Sequence, residues 1–326
     1  MITASTDISG YDSELSITDA IDPPSWIARF GVISRYWYNP IIQSQLRRKP
    51  QTGNIRIVLN PRWLFWGSIY LAATTFMPFA MTSFSFMGDP DLGDLSTSIM
   101  KTTLLEMPAV FGLGICGMML VVSLFLLPRR FNQRLDSQKP DPLIISTMSD
   151  SDIFYSECFA PLINTIGILA ALALSVIWVF LGMLALRIIS LFTGFPGLSE
   201  ALASFGGLPG LAVVLACIVI SALLLTFYCV LTVGFYSSAI PSYWAAPASV
   251  LDIGIFVLAV RWIAISIVRI KFPGFNDSLF AISEGTPGIA LPIYTFLLLI
   301  FIGVGVYFAS SHGIRMFKAT RRGLRG

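Results

Sequence analysis

The sequence predicts an all-α, polytopic integral membrane protein: six transmembrane helices preceded by an N-terminal amphipathic elbow helix. Three observations carry this expectation. Of the 326 residues, 55% are hydrophobic and only 12% are charged, about half the usual charged share of soluble proteins. The mean hydropathy is +0.78. Six apolar runs reach the roughly 20 residues that a helix needs to cross a hydrocarbon core of about 30 Å. This composition excludes a disordered chain, a nucleic-acid-binding module and an ordinary soluble enzyme. The net charge of +3 is too small to draw in a polyanionic partner.

Residues 1–23 carry Asp7, Asp12, Glu14, Asp19 and Asp22 and are expected to be a disordered acidic tail. They are the opposite of the basic, then apolar, start of a cleavable signal. Residues 24–62 are the interfacial region. Trp26, Phe30, Ile33 and Trp37 repeat at i, i+4, i+7 and i+11, which gathers them on one helical face. With Arg35 opposite and Arg29 on the flank, this stripe suits a helix lying in the headgroup layer; packing against other protein gives the same pattern. Asn39-Pro40 breaks that helix, and a second begins at Ile41 and ends in the basic run Arg47-Arg48-Lys49.

The six-helix transmembrane domain is expected over residues 63–311. The first span, Trp63 to Met87, is uncharged, and the second, Met107 to Leu127, stops at Pro128-Arg129-Arg130. The third runs uncharged from Cys158 to Leu186, and the fourth lies near Pro209 to Phe235. The fifth, about Ala248 to Ile270, is the most polar, holding Asp252, Arg261 and Arg269; the sixth spans about Ile289 to Ser311. All must be helical, because lipid offers backbone groups no partner, and continuous runs do not fit the alternating strands of a barrel. Residues 312–326 form a basic tail.

Charge sets the orientation. Sixteen of the 21 Lys and Arg residues fall before the first span, between the second and third, or after the sixth. The positive-inside rule then puts both termini in the cytoplasm, at the cell membrane. The fifth span is retained despite its charges, since losing it would break this parity.

Between the second and third spans, Ser149-Asp150-Ser151-Asp152 fits a capping box, with Ser149 at the N-cap and an acid three residues on. A short cytoplasmic helix follows, with Asp150 and Asp152 favouring its dipole. It is either a docking helix for a cytoplasmic partner or simply a well-capped start to the third span. The loops on the other side leave no room for an extracellular domain.

Chemistry-bearing motifs are scarce. There is no GxxxxGK[ST], so the chain is not expected to hydrolyse ATP itself. The glycines Gly112, Gly114 and Gly117 sit inside an apolar span without the strand that a dinucleotide site needs, and small residues that let membrane helices approach explain them better. A single histidine, His312, excludes HExxH chemistry. Cys116, Cys158, Cys217 and Cys229 are widely separated in sequence and read as core thiols. No catalytic residue, cofactor site or metal site is expected, and the chain reads as non-enzymatic. Asp252 and Arg261 are the exceptional groups. An arginine at mid-depth costs about 2.5–3.5 kcal/mol on insertion scales, so it should face protein or water. The two lie nine residues apart, about 13 Å along a helix, too far for a direct pair on one straight helix. They mark a pathway or gate, a snorkelling or interhelical ion pair, or a break near Trp262.

The order of these parts resembles the permease subunits of ABC-2 type transporters. Those begin with an elbow helix carrying Asn-Pro-aliphatic-aliphatic-x-x-Glu-Leu-Arg, which Asn39-Pro40-Ile41-Ile42-Gln43-Ser44-Gln45-Leu46-Arg47 resembles, with Gln45 in place of the acid. Leu143 to Ser149 is similar to the family's Leu-Leu-x-Thr-Pro-Leu-Ser stretch, and the helix from Asp150 to Glu157 to its coupling helix. The family's Glu-Arg-Glu-x-Gly-Thr run is replaced here by Phe131 to Lys139. The resemblance, over about residues 36–325, implies a permease half that pairs with a second membrane subunit and with separate ATP-binding cassette subunits holding the ATP. Asp150, Asp152, Phe154 and Glu157 would be the coupling contacts. The alternatives are a structural or accessory subunit of a larger membrane complex, and a secondary carrier, whose inverted repeat is not visible here. Few polar residues in the spans point to a lipid-like or amphipathic cargo. Reporter fusions after residue 62 and after residue 326 are expected to read the same, cytoplasmic side; opposite readings would overturn the even number of crossings.

Overall fold

The computed structural model describes residues 39, 41–42, 61–85, 93–135, 148–159, 162, 166–193, 206–273, 275 and 288–323. These contain helices and no strand. In chain order the helices are α1 (Pro61–Ser85), α2 (Gly93–Leu135), α3 (Asp150–Phe159), α4 (Ile166–Thr193), α5 (Gly207–Ala239), α6 (Ser242–Lys271) and α7 (Ala290–Gly323). Four of them contain described stretches long and apolar enough to cross a membrane: Gly112–Asn132, Gly207–Ala239, Tyr243–Lys271 and Ala290–Arg322. The first and third predicted spans fall on α1 and α4, whose described apolar stretches are the shorter Leu64–Thr74 and Ala170–Ala185. The acidic tail and the stripe of Trp26, Phe30, Ile33 and Trp37 lie outside the described residues.

Several boundaries differ from the sequence expectation, and prolines and burial account for them. The apolar run ending at Leu127 does not end its helix. α2 continues through Pro128, Arg129 and Arg130 to Leu135, 43 residues in all, about 65 Å at the usual rise. The lost backbone bond at Pro128 is offset by packing beyond it, since Phe131 is fully buried against Phe154 and Phe317. The third run, expected to be continuous from Cys158, is instead divided between α3 and α4. Pro161 lies between them, and a proline disfavours helical backbone at the residue before it. The turn between the fourth and fifth spans is only Ile240-Pro241, where Pro241 caps α6. The expected tail is largely helix: α7 runs on past His312 to Gly323.

α5 is the central helix and touches α2, α3, α4, α6 and α7. It starts where Gly206 and Gly207 both hold left-handed backbone, φ 76° and 84°, a conformation that costs a side chain strain. α6 shows the opposite pattern. Leu251, Ile255, Leu258 and Trp262 are exposed at i, i+4, i+7 and i+11, an apolar stripe suited to lipid, while Ile253, Val260, Ala264 and Val268 are buried. α1 and α4 pair through Trp178, whose Nε1 donates to Ser68 Oγ at 3.1 Å while its ring meets Phe65 edge-on.

Helices approach closely at glycine. A Cβ on Gly112 of α2 would stand 2.8 Å from Ala222 Cβ on α5. The four cysteines are free thiols. Two of them, although 113 residues apart, meet across the same interface, with Cys116 and Cys229 Sγ atoms 3.7 Å apart. Gly112→Val is therefore expected to lower stability by about 1–3 kcal/mol through overpacking. Gly114→Val, where a Cβ meets nothing within 4 Å, should cost far less. Thermal melts of the two variants in detergent test the difference.

Candidate functional site

Two features of the bundle bring chemistry-bearing residues together. The first is α3, clamped under one end. Ser149 caps it as the sequence predicts. The Asp152 backbone N–H donates to Ser149 Oγ at 3.1 Å, and Ser149 Oγ donates to Asp152 Oδ2 at 2.6 Å. The buried side of the helix carries Ile153, Phe154, Ser156, Glu157 and Cys158.

Phe154 is the plug of this interface. It has no exposed surface and lies over Gly313 of α7, where any Cβ would collide with its ring, and beside Gly234 of α5, where a Cβ would collide with the Cys158 sulfur. Phe131 of α2 and Phe317 of α7 close around it, with ring centroids 5.9 Å and 6.0 Å from its own. The side chain at this one position therefore touches three long helices. Tyr155 adds a hydroxyl contact with Ser310 of α7.

Two ion pairs flank the plug. Arg321 of α7, buried, donates to Asp150 Oδ1 in the first turn of α3. Arg130 of α2 lies 3.7 Å from Glu157 Oε2, whose side chain is 1% exposed. Burial, then the Glu157 charge next to it, push the Cys158 thiol well above its ordinary range, so this thiol stays protonated and inert. Of the four residues expected to contact an ATPase, Phe154 and Glu157 face the chain's own bundle. Asp150 is shared between the surface and Arg321. Asp152, with Ser149 and Ser151, is on the accessible side. Sequence reasoning had no signal for Arg130, Phe131, Arg321 or Phe317, since each meets α3 from a distant segment.

The second feature is a pair of cavities between α5, α6 and α7. One, of about 210 Å³, is lined by Arg261 with Ser221, Tyr294, Thr295 and apolar side chains that include Leu113 of α2. The other, of about 440 Å³, is lined by Asp252, Tyr228, Thr232 and His312, again with apolar walls. Phe256 and Val260 line both. The Phe256 ring stacks on Tyr228 with centroids 4.0 Å apart and lies on Gly305 of α7, where a Cβ would collide with it. Asp252 and Arg261 thus sit on one unbroken helix, each in its own cavity, with an aromatic partition between them. The break considered near Trp262 does not occur.

Among the described residues no group of three or more His, Cys, Asp or Glu side chains could hold a metal ion. No family model, curated protein or solved structure matches the chain.

The clamp makes its own prediction. Asp150→Asn strips the buried Arg321 of a charged partner and should cost about 1–3 kcal/mol, the range for leaving a buried group underpaired. Arg321→Gln in the same chain should recover part of that loss, because the two residues interact. A double-mutant cycle read by thermal melting measures the coupling; strictly additive losses would mean the pair contributes nothing.

Proposed function

We propose that this chain is the membrane-spanning permease subunit of an ABC-2-like transporter at the cell membrane, non-enzymatic and energised by separate ATP-binding cassette subunits. A second membrane subunit, identical or different, completes the pathway, and both termini lie in the cytoplasm. One observation carries this reading: a short capped helix follows the second span and is locked to α2, α5 and α7 at once through Phe154, Glu157 and Asp150. A permease needs such a part. Force delivered by an ATPase has to enter the membrane domain at a rigid point, or it dissipates in loop motion. Helix α3 offers that point, with its inner side plugged into the bundle and Ser149, Ser151 and Asp152 left on the outer side to meet a partner. The resemblance of the Asn39-Pro40-Ile41-Ile42 segment adds support. Ile41 and Ile42 are buried, and the Ile41 N–H donates to Asn39 Oδ1 at 3.0 Å, so the start of the second elbow helix is tied to the same core.

The second reading, a structural subunit of a larger membrane complex without transport, is favoured by the long exposed apolar stripe of α6, which suits a neighbouring subunit as well as lipid. The two readings separate on one experiment. The tagged chain is purified in mild detergent from its own cells, and the proteins that come with it are sequenced. The permease reading expects a Walker A protein among them, lost from the purification when Asp152 and Ser151 are both changed to Arg while the membrane chain stays folded. An assembly that lacks any nucleotide-binding protein would support the structural reading instead.

A further inference from the structure

We propose that the paired cavities of α5, α6 and α7 form a binding site for a single-chain anionic amphiphile, with its headgroup on Arg261 and its alkyl chain threaded past Phe256. The inference goes beyond the transport reading and holds whether the chain transports or scaffolds.

The headgroup end follows from charge. Among the described residues, Arg261 is the one charged side chain lining the smaller cavity. A guanidinium carries five N–H donors in a fixed fork, so an interaction within the protein leaves donors for a ligand. Ser221 and Tyr294 add hydroxyls on the same walls, whereas the Thr295 hydroxyl donates to the Leu291 and Pro292 carbonyls. A carboxylate or phosphate is the group that a fork of this shape binds best. The lipid-facing stripe of Leu258 and Trp262 borders Arg261 on α6, so an amphiphile dissolved in the bilayer has a short route in.

The tail end follows from size and sign. A cavity of about 210 Å³ lies below the roughly 300–1,000 Å³ of ordinary small-molecule sites, so it accommodates a headgroup and the first part of a chain. The neighbouring cavity of about 440 Å³, which shares Phe256 and Val260 with the first and has mostly apolar walls, has room for the rest. There Asp252 opposes a second anion, which fixes the orientation of the ligand. Phe256 is held by stacking on Tyr228 and by the flat surface at Gly305. The ring is therefore the shared wall whose removal would join the two cavities.

The test uses the full chain in phosphatidylcholine nanodiscs and equilibrium binding of radiolabelled hexadecanoate, octanoate, palmitoyl-lysophosphatidylglycerol and palmitoyl-lysophosphatidylcholine. Saturable binding of at least one of the long-chain anions, with the zwitterion at least about tenfold weaker, is expected. The anion that binds more tightly identifies the source as free fatty acid or membrane lipid. Arg261→Gln should weaken the anion by about tenfold while Arg261→Lys, which keeps the charge, retains most of the affinity. Phe256→Ala should favour hexadecanoate over octanoate more than the wild type does. Equal binding of zwitterion and anion, unsaturable partitioning, or an Arg261→Gln chain that is monodisperse and binds like wild type would overturn the site. An unchanged chain-length preference in Phe256→Ala would overturn the passage beyond the ring.

Discussion

One aromatic side chain seated on bare backbone organises the lower half of this protein. Phe154 reaches the surface of α7 only because Gly313 presents no Cβ there, and Gly234 of α5 makes the same room for the neighbouring Cys158 sulfur. Burying so large an apolar ring at the end of the bundle takes it out of solvent, and close van der Waals fit adds to that gain. A ring laid on one glycine and a sulfur laid on the other supply that fit. Once Phe154 is seated, Phe131 and Phe317 complete the enclosure, the long α2 is drawn past its own proline, and the C-terminal part of α7 remains ordered helix to meet Asp150.

The flanking ion pairs are a different kind of contact. Buried ion pairs are weak evidence for stability, because desolvation opposes the Coulomb gain. Their geometry here suits alignment. Arg321 holds the beginning of α3 and Arg130 its end, so the helix cannot roll about the Phe154 contact. The plug supplies adhesion and the charges supply register. The two cavities follow a similar division, since each is bounded by apolar walls that set its shape and holds a charged group of opposite sign to the other.

Much of the helical layout was legible in the sequence because the bilayer leaves few alternatives: a long uncharged run must be helix. The N-cap of α3 was legible too, since Ser149 and Asp152 make a local motif that depends on three residues of spacing. Contacts between distant segments were not. Nothing in the spacing of Cys116 and Cys229 indicates that their sulfurs meet, and Arg321 read as part of a basic tail although it is buried against Asp150. Helix ends were misjudged where proline was involved, in both directions. Pro128 was read as a stop, yet tertiary packing carries α2 through it, whereas Pro161 was passed over inside an apolar run and sits between α3 and α4. Asp252 and Arg261 stood out as costly residues, but that they occupy separate chambers depends on the position of Phe256, which composition does not encode.

The connection between α5 and α6 has a mechanical consequence. With only Ile240 and Pro241 between them, the joined ends of these helices are fastened together as tightly as a covalent chain allows. At the far end of α6, Arg269 donates to the Phe275 carbonyl and the Phe275 ring meets Tyr294 of α7, not α5. Near that two-residue joint the pair must travel as one piece, so any separation of α5 from α6 grows with distance from it.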